Sequence, residues 1–417
     1  PSSKRVLILW NHGDAWRNLK ARNTEKIFKS AAYDETSDDL LYMYELKKAL
    51  ENITDNGTKP FDVIGFDECL MGEFTTLTLL KDYANVIVAS PEYELGDGWG
   101  DVWGKLPTWY EQGLDTWTIA KNIVDGYIEY WKANPPYVPL AYPQDIGLTA
   151  IKTTALESLR QAFEQFAGSL YQTALNEVEN GQLYEVFYSF ASNSSLSAFA
   201  ENIGFWGNIL SSFDFSSDVI AVELDNATSW TVKEGINYHS EYGGSVNNRL
   251  GYDLLYLITR TGLATRLLEL GATPDQAVEY LVFNGFDNPP QYLSPSFDNN
   301  TVQNSLNFLN VYNQVKANDE LYTRYLNLDM QGGYNENVVG SGLSLIYPYT
   351  SPAYASSPKL ELCNFQNFVE SYNSTLPNYT NFVKTVFGEM WKAFEDTHWN
   401  NELVCDDVGN LVDKDLM

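Results

Sequence analysis

Three short apolar runs rich in β-branched residues, at 6–9, 61–66 and 86–89, constrain this chain more than any other feature. A run that is apolar at every position can bury both faces, as a parallel strand covered by helices does. Between the first and second runs, Tyr42, Leu46, Ala49 and Leu50 recur at helical spacing over residues 40–52. An acidic start precedes them, which suits the positive end of a helix. Asn56-Gly57 then marks a turn. Between the second and third runs, residues 72–83 place Phe74, Leu77 and Leu80 on one helical face. Strand, helix, strand, helix, strand predicts an α/β sheet with helices on its faces. Ligands bind such sheets beyond the carboxyl ends of the strands.

Further on, residues 92–100 form a Gly-rich acidic loop and 116–133 a helix. Pro135, Pro136, Pro139 and Pro143 make a rigid connector, which sets a boundary between a core at 1–145 and a C-terminal region at 146–417. That region reads as mixed α+β, packed on the core. It opens with a strand at 146–151 and an amphipathic helix at 154–175. Helices are expected near 183–191, 250–261, 274–284 and 379–396, and a strand at 342–347 that Pro348 stops.

Two short words sit where the first two strands run out. One is Leu9-Trp10-Asn11-His12-Gly13-Asp14, the other Phe66-Asp67-Glu68-Cys69-Leu70-Met71-Gly72. The chain has only three His and three Cys, so a His and a Cys at equivalent strand ends suggest the halves of a thiol nucleophile site. A thiol attacks a carbonyl as thiolate and needs a base nearby, here His12 for Cys69. The oxyanion needs N–H donors, which Gly13 and Cys69 can supply from the backbone. A lone Cys is equally a small buried hydrophobe, so spacing by itself leaves both readings open.

Other classes are less well supported. Lys and Arg total 26 against 55 Asp and Glu, a net charge of −29 that repels nucleic acid and anionic membranes. No apolar run approaches the roughly 18 residues of a membrane span. Three Cys make no disulfide framework, though Cys363 could pair with Cys405. His239 and His398 lack metal-ligand spacing and read as structural, so no metal site is expected. Gly96, Gly98 and Gly100 alternate, but Asp97 and Asp101 would repel phosphate. Asn52, Asn56, Asn193, Asn226, Asn299, Asn373 and Asn378 head glycosylation sequons, as chance in an Asn-rich chain or as a mark of export.

The string Leu7-Ile8-Leu9-Trp10-Asn11-His12-Gly13 resembles the histidine motif of the clostripain family of cysteine peptidases, and Asp67-Glu68-Cys69-Leu70-Met71-Gly72 resembles its cysteine motif. Lys81-Asp82-Tyr83-Ala84, Ala89-Ser90-Pro91-Glu92 and Gly96-Asp97-Gly98-Trp99 continue the similarity in order, and Ser341 to Pro348 resembles a later family string. The resemblance implies a caspase-like three-layer α/β/α sandwich with a mostly parallel sheet, as in caspases, gingipains and legumains. It implies an endopeptidase that cleaves after Arg or Lys through an acyl-enzyme. His12 would be the base, Cys69 the nucleophile and Asp67 the acidic floor of the specificity pocket, with Asp97 and more weakly Glu94 on its wall. Glu68 stands where the motif often has a small residue. No cofactor is required. Calcium stays open, because some relatives use it and Asp34, Glu35, Asp38 and Asp39 cluster without an EF-hand pattern.

Arg17, Lys20, Arg22, Lys26 and Lys29 form a basic island between Ala15 and Ser30. It reads as a solvated loop or as a self-processing segment, since the family is known for cleaving itself between the catalytic His and Cys, with Arg22 or Lys26 as the cut. The partners are then Arg- or Lys-bearing peptides. A caspase-like sheet has strands before the one that delivers His, so the N-terminal strands are expected to be missing, or supplied by a separate N-terminal fragment. The protein is expected to be secreted or at the cell surface. The rival from another class is a non-catalytic relative that binds peptide or glycan in the same cleft.

Overall fold

The structure is a computed structural model that describes residues 4–13, 15, 31–34, 39–135, 144–180, 251–255, 258, 299–328, 334–335, 341–346, 368–369, 371–385, 403–405 and 411–413. In chain order the elements are β1 (Val6–Trp10), the hairpin β2 (Ala32–Asp34) and β3 (Asp39–Leu41), α1 (Met43–Thr54), β4 (Phe61–Asp67), α2 (Phe74–Leu80) and β5 (Ala84–Ala89). Then come α3 (Val102–Glu111), α4 (Thr116–Ala133), β6 (Gln144–Lys152), α5 (Thr153–Asn180) and β7 (Gly251–Asp253). The rest are α6 (Asn299–Ala317), β8 (Leu321–Leu328), β9 (Tyr334–Asn335), β10 (Ser344–Ile346), β11 (Leu403–Cys405) and β12 (Leu411–Asp413).

One six-stranded sheet runs β1-β4-β5-β6-β8-β9, with helices on both faces. Strands β1, β4 and β5 are parallel, as the apolar runs require. The expectation of a mostly parallel sheet does not hold, because β6, β8 and β9 add antiparallel. The cause is the double crossover after β5. Lys4 Nζ donates to Thr116 Oγ1, placing the start of α4 beside the start of β1. The other end of α4 reaches the carboxyl ends of the parallel strands, where Trp131 Nε1 donates to Gly98 O at 3.1 Å. So α3 carries the chain down and α4 carries it back up. β6 therefore begins at the end where β5 finished, and must descend beside it.

Period-two alternation along β1 and β4 divides the core. Val6, Ile8 and Val63 face α3 and α4, while Leu7, Leu9, Ile64 and Phe66 face α1, α2 and α5. On the second side Phe163 of α5 meets Phe74, Phe308 and Tyr379 edge-on. The buried carboxylate of Glu164 accepts the backbone N–H groups of Asn378 at 2.9 Å and Tyr379 at 3.1 Å, and so caps the helical residues 377–385. The helix expected at 250–261 is met only from residue 254, where 254–255 and 258 are helical. Instead Gly251–Asp253 pairs as β7 with β10, because the backbone of Ser344 already accepts a strand register there and its N–H bonds Gly72 O at 3.1 Å. The helices expected near 183–191 and 274–284 lie outside the described residues. Among the described residues no helix is long and apolar enough to cross a membrane.

Candidate active site

Register places the two words side by side. Trp10 at the end of β1 pairs with Asp67 at the end of β4, so the His and Cys loops leave the sheet together. They touch at Gly13. A Cβ there would lie 2.5 Å from Cys69 O, 2.8 Å from Met71 Cγ and 2.9 Å from Glu68 Cβ, so only glycine lets the loops close up. His12 is exposed, and its backbone N–H is accepted by Asn11 Oδ1 at 2.6 Å.

The Cys69 loop is stapled to the loop after β5. Leu70 N–H donates to Glu92 O at 2.8 Å and Gly72 N–H to Ser90 O at 2.6 Å. Leu70 holds a left-handed φ of 62°, a conformation a leucine adopts only when its neighbours enforce it. A Cβ on Gly72 would meet Pro91 N at 2.5 Å, so this seam too needs glycine. The thiol of Cys69 is half-buried, and the backbone N–H of Glu94 donates to its Sγ at 3.3 Å. The thiol in turn donates to Glu94 O at 3.7 Å.

Two residues upstream, the Asp67 side chain is only 2% exposed. Its Oδ1 accepts Trp99 N–H at 3.0 Å and its Oδ2 accepts Trp103 Nε1–H at 2.7 Å. Burial raises the Asp67 carboxyl above its ordinary range, against the pull of hydrogen bonds from Glu94, Trp103 and Trp99. Glu94 lies beside it and takes Trp99 Nε1–H at 3.3 Å. Burial and the negative charge of Asp67 hold the Glu94 carboxyl well above its usual value. Of the two adjoining carboxyls, Asp67 takes two N–H donors and Glu94 one, so a charge is the better held on Asp67. Gly98 closes the cradle at a left-handed φ of 51°.

Glu68 points to the opposite face of β4, as alternation requires. It is 1% exposed, and among the described residues neither carboxyl oxygen has a hydrogen-bond partner. Burial, then Asp67, pushes its carboxyl well above the normal range. Asp97 is exposed, and its Oδ2 accepts the hydroxyl of Tyr130 at 2.9 Å. The contacts of Asp97 therefore run to α4 rather than to Asp67. Arg22, Lys26, Glu35, Asp38, Cys363, His239 and His398 fall outside the described residues. Among the described residues no cluster of His, Cys, Asp and Glu could hold a metal ion. Trp99, Trp103 and Gly98 belong to this site as closely as the expected residues do. Trp99 and Gly98 lie in the Gly96-Asp97-Gly98-Trp99 string; Trp103 carries no signal beyond lying one helical turn further on.

The clostripain family model matches residues 1–259. No curated protein matches significantly. Among solved structures, the chain is similar to a secreted C11 cysteine protease from Bacteroides thetaiotaomicron in complex with an irreversible peptide inhibitor, at 20% identity over 40% of this chain and 44% of that one, TM-score 0.29. An inactive zymogen C11 protease from Parabacteroides distasonis matches at 15% identity over 92% of this chain and 71% of that one, TM-score 0.35. A clostripain from Bacteroides thetaiotaomicron in complex with a peptide inhibitor matches at 11% identity over 81% of this chain and 93% of that one, TM-score 0.35. The chain spans less than half the length of the first of these.

Proposed function

Because the chain belongs to the clostripain family, we propose that it is a cysteine endopeptidase that cleaves peptide bonds after Arg or Lys. Cys69 attacks the scissile carbonyl as thiolate, and His12 accepts the thiol proton. The carbonyl oxygen becomes an oxyanion that the N–H groups of Gly13 and Cys69 can bind. His12 then protonates the leaving amine, a thioester remains on Cys69, and water, deprotonated by His12, releases the acid and frees the thiol. The N–H of Glu94 holds the sulfur between turnovers.

One observation carries the specificity: the Asp67 carboxyl, walled by indoles and withdrawn from water, two residues before the thiol. In such a site a cationic side chain gains a charge-assisted bond that a neutral one lacks. A fluorogenic peptide ending in Arg or Lys tests the proposal. Turnover is expected from the wild type, none from Cys69→Ala, and a large loss for Arg and Lys from Asp67→Asn. Equal turnover by wild type and Cys69→Ala would end the catalytic reading and leave a binding protein. Self-processing at Arg22 or Lys26 is part of the same proposal. It predicts fragments in wild-type preparations that Cys69→Ala preparations lack; identical gels would refute it.

A further inference from the structure

We propose that Trp103 gates the specificity pocket and is a specificity-determining residue: its indole N–H occupies Asp67 while the pocket is empty, and the substrate's cation must displace it. This rests on the reading above that Asp67 selects Arg or Lys. Each oxygen of Asp67 accepts one neutral N–H donor, and the residue is 2% exposed. The carboxylate has lone pairs to spare but no open face, and a guanidinium grips it through two parallel N–H bonds, so one of the two indole residues that cover it has to move.

The two donors differ in how firmly they are held. Trp99 is wholly buried; its backbone supplies one bond to Asp67, its Nε1 another to Glu94, and its ring fills the space over Gly65, where a Cβ would come within 2.6 Å. Trp103 is 40% exposed and rests against Trp99 with ring centroids 6.1 Å apart. It sits in the first turn of α3. The N-cap residue there, Asp101, makes no side-chain cap bond, and glycines at 98 and 100 with left-handed φ lead into it. Trp103 therefore has room to swing, and Trp99 does not. Once displaced, the indole face stays within reach of the incoming cation, which an aromatic ring attracts. A neutral donor gains from Asp67 only what the evicted indole N–H loses, and a side chain without N–H gains nothing, so the gate sharpens the preference for charge.

Trp103→Phe keeps an aromatic ring and removes the competing donor. At pH 8, KM for an Arg peptide is expected to fall about 3- to 10-fold, as loss of one competing hydrogen bond allows, and the Arg-to-citrulline preference to change with it. If Trp103 instead positions Asp67 for the substrate, KM rises or stays unchanged, and the gate is refuted. A second measurement does not need the variant. Arginine amide, added until it competitively inhibits the wild type, should change the tryptophan emission saturably, and norleucine amide should not. Inhibition without an emission change overturns the gate. Should the wild type ignore Arg and Lys peptides altogether, the specificity reading itself fails, which these outcomes keep distinct.

Discussion

Replacing Gly98 with alanine probes the pocket without touching any proposed catalytic group. The new Cβ would overlap Asp67 Oδ1 and lie 2.8 Å from Asp67 Cγ, against about 3.4 Å for an ordinary contact. The carboxyl must therefore retreat by at least roughly 0.6 Å, and further at Oδ1, more than the approximately 0.5 Å that a productive site tolerates. The Trp99 N–H bond to Oδ1 is lost or stretched in the same movement. Misplacement on this scale costs about 100-fold in kcat/KM, equivalent to about 2.7 kcal/mol. The left-handed φ of 51° adds a folding cost of about 1–2 kcal/mol for any residue with a Cβ.

Gly96→Ala is the matched control, because a Cβ at Gly96 would meet nothing within 4 Å and its φ is not left-handed. Hydrolysis of an Arg peptide is measured for both variants, with circular dichroism to show that each is folded. Alkylation of Cys69 by iodoacetamide should proceed at the wild-type rate in both, since the thiol loop is untouched. A folded Gly98→Ala protein with kcat/KM within threefold of Gly96→Ala would refute the claim that Asp67 is the pocket floor.

Three further outcomes are expected. Glu68 binds its proton more tightly folded than unfolded, so its contribution weakens as pH rises above the ordinary Glu range of about 4.3; Glu68→Gln should flatten the fall in Tm between pH 5 and 8, and parallel Tm–pH curves would refute it. Burial raises the carboxyls of both Asp67 and Glu94, so KM for Arg peptides should decrease as pH rises and the pocket gains charge; Glu94→Gln, which cannot ionise, should leave a shallower KM–pH profile. Glu164→Ala removes both bonds that cap residues 377–385, at about 1.5–3 kcal/mol each for bonds to a charged group; thermal unfolding should drop by several degrees with kcat/KM unchanged, and an unaltered Tm would show the cap to be idle.

What was legible in the chain followed from local chemistry. β4 and β5 announce themselves because most of their positions are buried and apolar, β1 because its run is apolar though only partly buried at the sheet edge, and the helix read at 116–133 coincides with α4. β8 stayed hidden for the opposite reason. Its Arg324 pairs with Asp125 and Glu129, and its Tyr322 hydroxyl bonds Asp125, so polar side chains sit on a face that α4 covers and the alternation is blurred. α3 was masked by Gly104 and by Pro107 inside the helix. The Asp67–Trp103 bond spans 36 residues and exists only through the packing of α3 on the sheet. No periodicity encodes such a contact.

The spacing of pocket and thiol carries a last consequence. Asp67 is the final residue of β4 and Cys69 lies two residues on, in the turn. Two residues span at most about 7 Å. On the proposed reading the substrate carbonyl sits over the sulfur while its side chain runs back toward the sheet to meet Asp67. That geometry would select for length as well as charge. Lysine reaches its ammonium through a four-carbon stem; ornithine has the same charge on a stem one methylene shorter. If the pocket floor is fixed by Trp99 and Gly98, ornithine cannot draw Asp67 closer, and one missing methylene costs about 10-fold or more in kcat/KM. A soft pocket would accept both. Measuring Lys and ornithine peptides on the wild type therefore distinguishes a rigid acidic floor from a merely negative cleft, and equal rates would mean that charge alone, rather than the strand-end geometry, does the selecting.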